Sequence, residues 1–61
     1  MTIEENIKIP SLLNNSFNKS KKILIKDLMK SLDIFHRKDH LPWKLSGGEK
    51  QRAAIARSIV N

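Results

Sequence analysis

The sequence holds 61 residues, 39% of them hydrophobic, with no cysteine and a formal net charge of +6. A chain of that length buries only about 60% of its unfolded surface, and without thiols it has neither a disulfide nor a cysteine zinc site to compensate. Its short apolar runs exclude a membrane-spanning helix, the acidic start Met-Thr-Ile-Glu-Glu is unlike a secretory leader, and the excess of 12 Lys and Arg over 6 Asp and Glu points to anionic partners: phosphate groups, nucleic acid or a lipid surface.

The pattern predicts helices throughout. Thr2 and Glu5 have the spacing of a capping box, with Ile3, Ile7 and Leu12 or Leu13 on one side, so a first helix is expected from about Ile3 to Leu13. Pro10 falls inside it and would kink or divide it. Asn14-Asn15-Ser16 is a polar break. A second, strongly amphipathic helix runs from about Lys19 or Ser20 to Leu32. Leu24, Ile25, Leu28, Met29 and Leu32 form its apolar face, and Lys19, Lys22, Lys26 and Lys30 line the opposite one. Such a lysine stripe reads first as a solvated face and second as a binding face. One further turn is expected over Phe35 to Asp39. His40-Leu41-Pro42-Trp43-Lys44 then serves as a connector, because Pro42 pushes Leu41 out of the helical region.

A last helix begins after Ser46, with Ile55, Ala56, Ile59 and Val60 as its apolar face. Ala53, Ala54 and Ser58 are small enough for close approach to a neighbouring helix. Arg52 lies beside that face, so an acidic partner is expected for it, in this chain or outside it. No segment alternates as a strand would. The fold class is an all-α fragment of three to four short helices.

The start of the last helix carries the chemistry. Ser46 and Glu49 make a second capping box, and Gly47 and Gly48 leave the first-turn N–H groups uncovered. Unpaired donors and the positive end of the macrodipole then point the same way, which is an arrangement for binding an anion. Two other constellations are weaker. His36 and His40 are spaced like a metal pair but lack a third ligand. Trp43 beside Lys44 could stack on a base, although a lone tryptophan of this kind more often plugs the edge of a small core. The only glycines are Gly47 and Gly48, so there is no Gly-x-x-x-x-Gly-Lys-Ser/Thr loop to hold a nucleotide, and no apolar strand ending in Asp to hold magnesium.

Leu45-Ser46-Gly47-Gly48-Glu49-Lys50-Gln51-Arg52, continuing through Ala53-Ala54-Ile55-Ala56-Arg57, closely resembles the signature segment of ATP-binding cassette (ABC) ATPases. Upstream, Thr2-Ile3-Glu4-Glu5-Asn6-Ile7 resembles the family's helix start. Glu-Asn-Ile-x-Ile-Pro, His36-Arg37 and Leu41-Pro42 are most similar to the lipoprotein-releasing and macrolide-export subclass. The resemblance covers essentially the whole chain. It implies the helical subdomain of a P-loop α/β ATPase, with residues 1–44 as helical subdomain and 45–61 as signature loop and helix.

The resemblance further implies a site shared between subunits. Two nucleotide-binding domains meet head to tail, and the signature of one contacts the γ-phosphate of ATP held by the other. Ser46 would offer its hydroxyl, and Gly47 and Gly48 their N–H groups. Glu49, often Gln in the family, would lie near the sugar and orient the loop. ATP is thus the implied cofactor, bound in trans, with magnesium held by the intact assembly and not by this chain. The implied partners are the second nucleotide-binding domain and a transmembrane permease subunit, with no nucleic acid. The implied place is the cytoplasmic face of the inner membrane. The P-loop, Q-loop glutamine, magnesium-binding aspartate, catalytic glutamate and switch histidine have no counterpart, so the chain alone is expected not to hydrolyse ATP. The alternative reading is a small basic helical module for nucleic acid, carried by charge and the lysine stripe.

Overall fold

A computed structural model describes all 61 residues. It contains three α-helices, α1 (Ile3–Leu13), α2 (Lys19–Ser31) and α3 (Gly47–Val60), with single 3-10 turns at Phe35–Arg37 and Pro42–Lys44 and no strand. The all-helical architecture agrees with the sequence pattern. The turn expected over Phe35 to Asp39 is the shorter Phe35–Arg37, and the connector at Pro42 is itself wound into a 3-10 turn.

Each helix starts where a side chain can take up an orphan N–H. In α1, Thr2 Oγ1 accepts from the Glu5 N–H at 3.2 Å while Glu5 Oε1 accepts from the Thr2 N–H at 2.8 Å, a complete capping box. The next two orphan donors are also used: Ile3 N–H donates to the His40 carbonyl at 3.0 Å and Glu4 N–H to that of Lys38 at 3.2 Å. The mouth of α1 is thereby closed by the chain leading to α3. In α2, Asn18 Oδ1 accepts from the Lys21 N–H at 2.8 Å.

Helix ends are set by two left-handed residues, neither of them glycine. Asn15 (φ 59°) follows α1, and the Ser16 N–H reaches back to the Ser11 carbonyl at 2.8 Å. Asp33 (φ 57°) follows α2, and the Ile34 N–H reaches back to the Met29 carbonyl at 2.9 Å. These are Schellman closures, and Asn and Asp tolerate the left-handed region better than other side-chain-bearing residues. The second closure carries its apolar contact with it, since Met29 and Ile34 are both fully buried. Pro10 does not divide α1. It forfeits only its own bond to the Asn6 carbonyl, and the closure at Asn15 holds the last turn.

The core is one seam: Ile3 and Ile7 from α1, Ile25 and Met29 from α2, Ala56 and Val60 from α3, with Ile34 and Leu45 from the connections. Every helical pair is spaced by four, one turn of helix. Ala56 is fully buried, and its small side chain lets α3 approach the other two helices. Ser11 continues the stripe of Ile3 and Ile7; its buried hydroxyl donates to Asn61 Oδ1 at 2.7 Å, and Asn61 Nδ2 donates to the Ile7 carbonyl at 3.0 Å.

The buried seam is narrower than the apolar pattern. Leu12, Leu13, Leu24, Ile55 and Ile59, expected on buried faces, are exposed. Three short helices meeting along one line cover a single stripe each, and the flanks of a wider stripe then face outward. Arg52 has no acidic partner within the chain: its Nε donates to the Leu32 carbonyl at 2.8 Å. A cation at the C-terminus of α2 meets the negative end of that helix, which meets the same electrostatic need as an acid. Lys21 does the same for α3, donating to the Val60 carbonyl at 2.9 Å.

Truncating the seam should be costly. Ile7→Ala or Met29→Ala is expected to destabilise by about 2–5 kcal/mol, enough to remove most of the helical signal of so small a chain. Leu13→Ala, at an exposed position, should change stability by less than about 0.5 kcal/mol. Urea unfolding followed by far-ultraviolet circular dichroism checks both.

Candidate anion site at the start of α3

Leu45 fixes the approach. It is buried in the seam, its N–H donates to the Pro42 carbonyl at 3.1 Å, and its extended backbone delivers Ser46 to the helix mouth. Because Leu45 takes the core position of this connector, Trp43 is left 66% exposed. It does not plug the core as a lone tryptophan was expected to; Lys44 Nζ lies 4.7 Å from its ring centroid instead.

The second capping box is complete. Ser46 Oγ accepts from the Glu49 N–H at 3.2 Å, and Glu49 Oε1 accepts from the Ser46 N–H at 3.0 Å. Its acceptor role leaves the Ser46 hydroxyl proton free to donate outward. The N–H groups of Gly47 and Gly48 have no acceptor within the chain, and both residues are solvent-exposed. The start of α2 also leaves its first N–H groups open; only at α3 are they uncovered by any side chain of their own.

Neither glycine is demanded by the fold. Both have negative φ, a Cβ at Gly47 would meet nothing within 4 Å, and one at Gly48 would meet only the flexible end of Arg52, whose Nη1 lies 3.2 Å from it. Glycine in a helix costs up to about 1 kcal/mol relative to alanine. Two of them in succession therefore lower intrinsic helix stability with no return inside this chain. The same contact sets the Arg52 guanidinium against Gly48.

Glu49 is the hub. Its side chain is only 12% exposed, Oε2 accepts from Arg37 Nε at 3.2 Å, and His36 Nε2 stands 3.5 Å away. The Ser46 N–H does most to hold its carboxyl well below the ordinary value of 4.5, at about 2; partial desolvation opposes this and the Arg37 guanidinium reinforces it. Nothing in the spacing of Arg37 and His36 marks them as parts of this site. The usable signal was the spacing of Glu49 itself, a carboxylate at the third helical position with one oxygen left over after capping. The two histidines do not converge: His36 faces Asp33 and Glu49, whereas His40 Nε2 faces Arg37 Nη1 at 3.4 Å. The four residues read as the site, Ser46, Gly47, Gly48 and Glu49, are contiguous, with the first three at the surface and Glu49 turned inward.

The depressed pKa of Glu49 makes the site acid-sensitive. A group whose folded pKa lies below its unfolded value stabilises the fold above the unfolded pKa and loses that contribution as pH falls through the folded one. The contribution of Glu49 should thus be intact above about pH 4.5 and disappear toward about pH 2. Glu5, also lowered by its Thr2 cap, adds a loss on the same acid side. Carboxyl chemical shifts should show Glu49 titrating near 2, and Glu49→Gln should flatten, without abolishing, the acid limb of the stability curve.

No protein-family model matches the chain, and no solved structure matches it. Curated proteins do. The chain is 43% identical over 60 residues to the lipoprotein-releasing system ATP-binding protein LolD of Francisella tularensis, covering 97% of this chain and 26% of that protein. It is 42% identical to the LolD protein of Cytophaga hutchinsonii, covering 98% of this chain and 27% of that protein. For the LolD protein of Treponema denticola the identity is 40%, with 98% and 26% covered. The chain spans about a quarter of the length of these relatives. Matched along nearly all of its own length, this chain belongs, as one segment, with the ABC ATP-binding proteins of the lipoprotein-releasing subclass.

Proposed function

We propose that the start of α3 binds the γ-phosphate of an ATP molecule held by a second nucleotide-binding domain, and that the chain does this as the helical subdomain and signature segment of a lipoprotein-releasing ABC ATPase. The observation that carries this reading is the pair of free N–H groups at Gly47 and Gly48, on glycines that the chain's own folding does not require. An external anion supplies the missing reason for both. Side chains at these positions would stand between the donors and a phosphate.

The geometry supports a division of labour. Ser46 donates its hydroxyl proton to a phosphate oxygen while its oxygen keeps the helix capped. Gly47 and Gly48 donate their N–H groups, and the macrodipole of α3 and the Arg52 guanidinium add positive potential. Glu49 stays inside, bonded to Ser46 and Arg37, and orients the loop. Its carboxylate is offset by Arg37, so the mouth is not repulsive to an anion. In this reading residues 1–44 and 45–61 act as helical subdomain and signature element. ATP is bound in trans, and its magnesium is held by the rest of the assembly. A transmembrane permease subunit receives the closure at the cytoplasmic face of the inner membrane. No helix here is long and apolar enough to cross a membrane.

The chain alone should show no ATP hydrolysis above background, since it holds no P-loop; turnover by a clean preparation would overturn the assignment. In a full-length ATP-binding subunit carrying this segment, Gly48→Asp should reduce hydrolysis on the order of 10²-fold, the effect of losing a preorganised donor. A variant with unchanged rates removes the phosphate role. Gly47→Ala separates function from folding. It is expected to raise the stability of the 61-residue chain by up to about 1 kcal/mol while lowering hydrolysis in the full-length context.

A further inference from the structure

The lysine stripe of α2 is not uniformly solvated. Lys19, Lys22 and Lys26 line a half-open groove of about 860 Å³ together with Phe17, Ile23 and Phe35. None of the three lysines has a carboxylate within salt-bridge distance. The two other charges at the groove are Lys38, whose Nζ is paired with Asp39 at 3.0 Å, and Glu4. Lysines also crowd the rings: Lys26, Lys30 and Lys38 lie 6.0, 5.2 and 5.9 Å from the Phe35 centroid, and Lys8 lies 5.6 Å from that of Phe17. Like charges at helical i, i+3 and i, i+4 spacing repel one another, so the groove gathers positive charge around apolar side chains, with Glu4 the one acid that lines it. Ile23 is 54% exposed there.

We propose that this groove docks an acidic peptide segment with an apolar anchor. Carboxylates of the segment pair with Lys19, Lys22 and Lys26, and one aliphatic or aromatic side chain enters between Phe17 and Phe35 over Ile23. Charge complementarity sets the sign of the partner. Phe17, Ile23 and Phe35 among the lysines call for an apolar side chain beside the carboxylates, which gives the interaction a component that salt does not screen. The proposal is independent of the phosphate site at α3, and its test contains no nucleotide.

The test is a titration of the 61-residue chain with a labelled oligoglutamate carrying one central Leu, read by fluorescence anisotropy and by amide shifts. The Leu peptide should bind about tenfold more tightly than the same peptide with Ala at the centre, with shifts confined to Phe17, Ile23, Phe35 and the flanking α2 amides. Lys22→Glu with Lys26→Glu should weaken binding at least tenfold. Lys44→Glu with Lys50→Glu, equal in net charge but outside the groove, should stay within about threefold of the parent. Equal losses in both double variants, no advantage of Leu over Ala, or shifts spread over the whole chain would each overturn the proposal. So would groove-dependent binding of phosphatidylglycerol vesicles or duplex DNA in place of the peptide.

Discussion

The carboxylate of Glu49 is the constraint on which the functional end of this molecule depends. One oxygen closes the capping box with the Ser46 N–H, and the other takes the Arg37 guanidinium from the 3-10 turn that precedes the connector. A single side chain therefore sets the start of α3 and ties it to the segment that leaves α2. Protonation would weaken both ties at once. The low pKa expresses the same fact as an equilibrium: the structure surrounds this group with donors that favour its charged form.

The rest of the fold is held by a similar economy at the helix ends. Lys21 closes the end of α3, Arg52 that of α2, and the first N–H groups of α1 are taken by the carbonyls of Lys38 and His40. A seam of eight buried hydrophobic residues supplies limited apolar burial, so terminal hydrogen bonds carry an unusual share of the specification. They fix which helix end meets which, where the seam alone would allow sliding. The open N–H groups of Gly47 and Gly48 differ from those at the start of α2 in carrying no side chain of their own. The molecule closes the mouth of α1 with its own backbone and leaves that of α3 open.

Helix positions were legible in the sequence because they depend on local chemistry. Thr2 with Glu5, and Ser46 with Glu49, announced two starts, and both boxes form as spaced. The grouping of Ser46, Gly47, Gly48 and Glu49 was legible for the same reason, since the four are contiguous. What could not be read was long-range. The width of each buried stripe depends on how many neighbours a helix has, so Leu24, Ile55 and Ile59 were expected inside and lie outside. Arg52 required a partner, but a backbone carbonyl twenty residues away leaves no trace in composition. The left-handed residues Asn15 and Asp33 sit in segments that read only as breaks, because the usual marker, glycine, is absent from both.

The exposed apolar residues follow from the same geometry. Each of the three helices buries one stripe against the other two, and the flanks of a wider apolar stripe stay exposed. Ile55 and Ile59 flank the buried line of Ala56 and Val60 on α3, so a surface meeting that flank would lie beside the helix that carries Gly47 and Gly48. The lysine groove is different in kind. Its apolar residues stand among charges, and a protein interior would have to neutralise Lys19, Lys22 and Lys26 in order to cover them. Burial by a wholly hydrophobic face is therefore disfavoured there, whereas the flank of α3 at Ile55 and Ile59 carries no such charge cost.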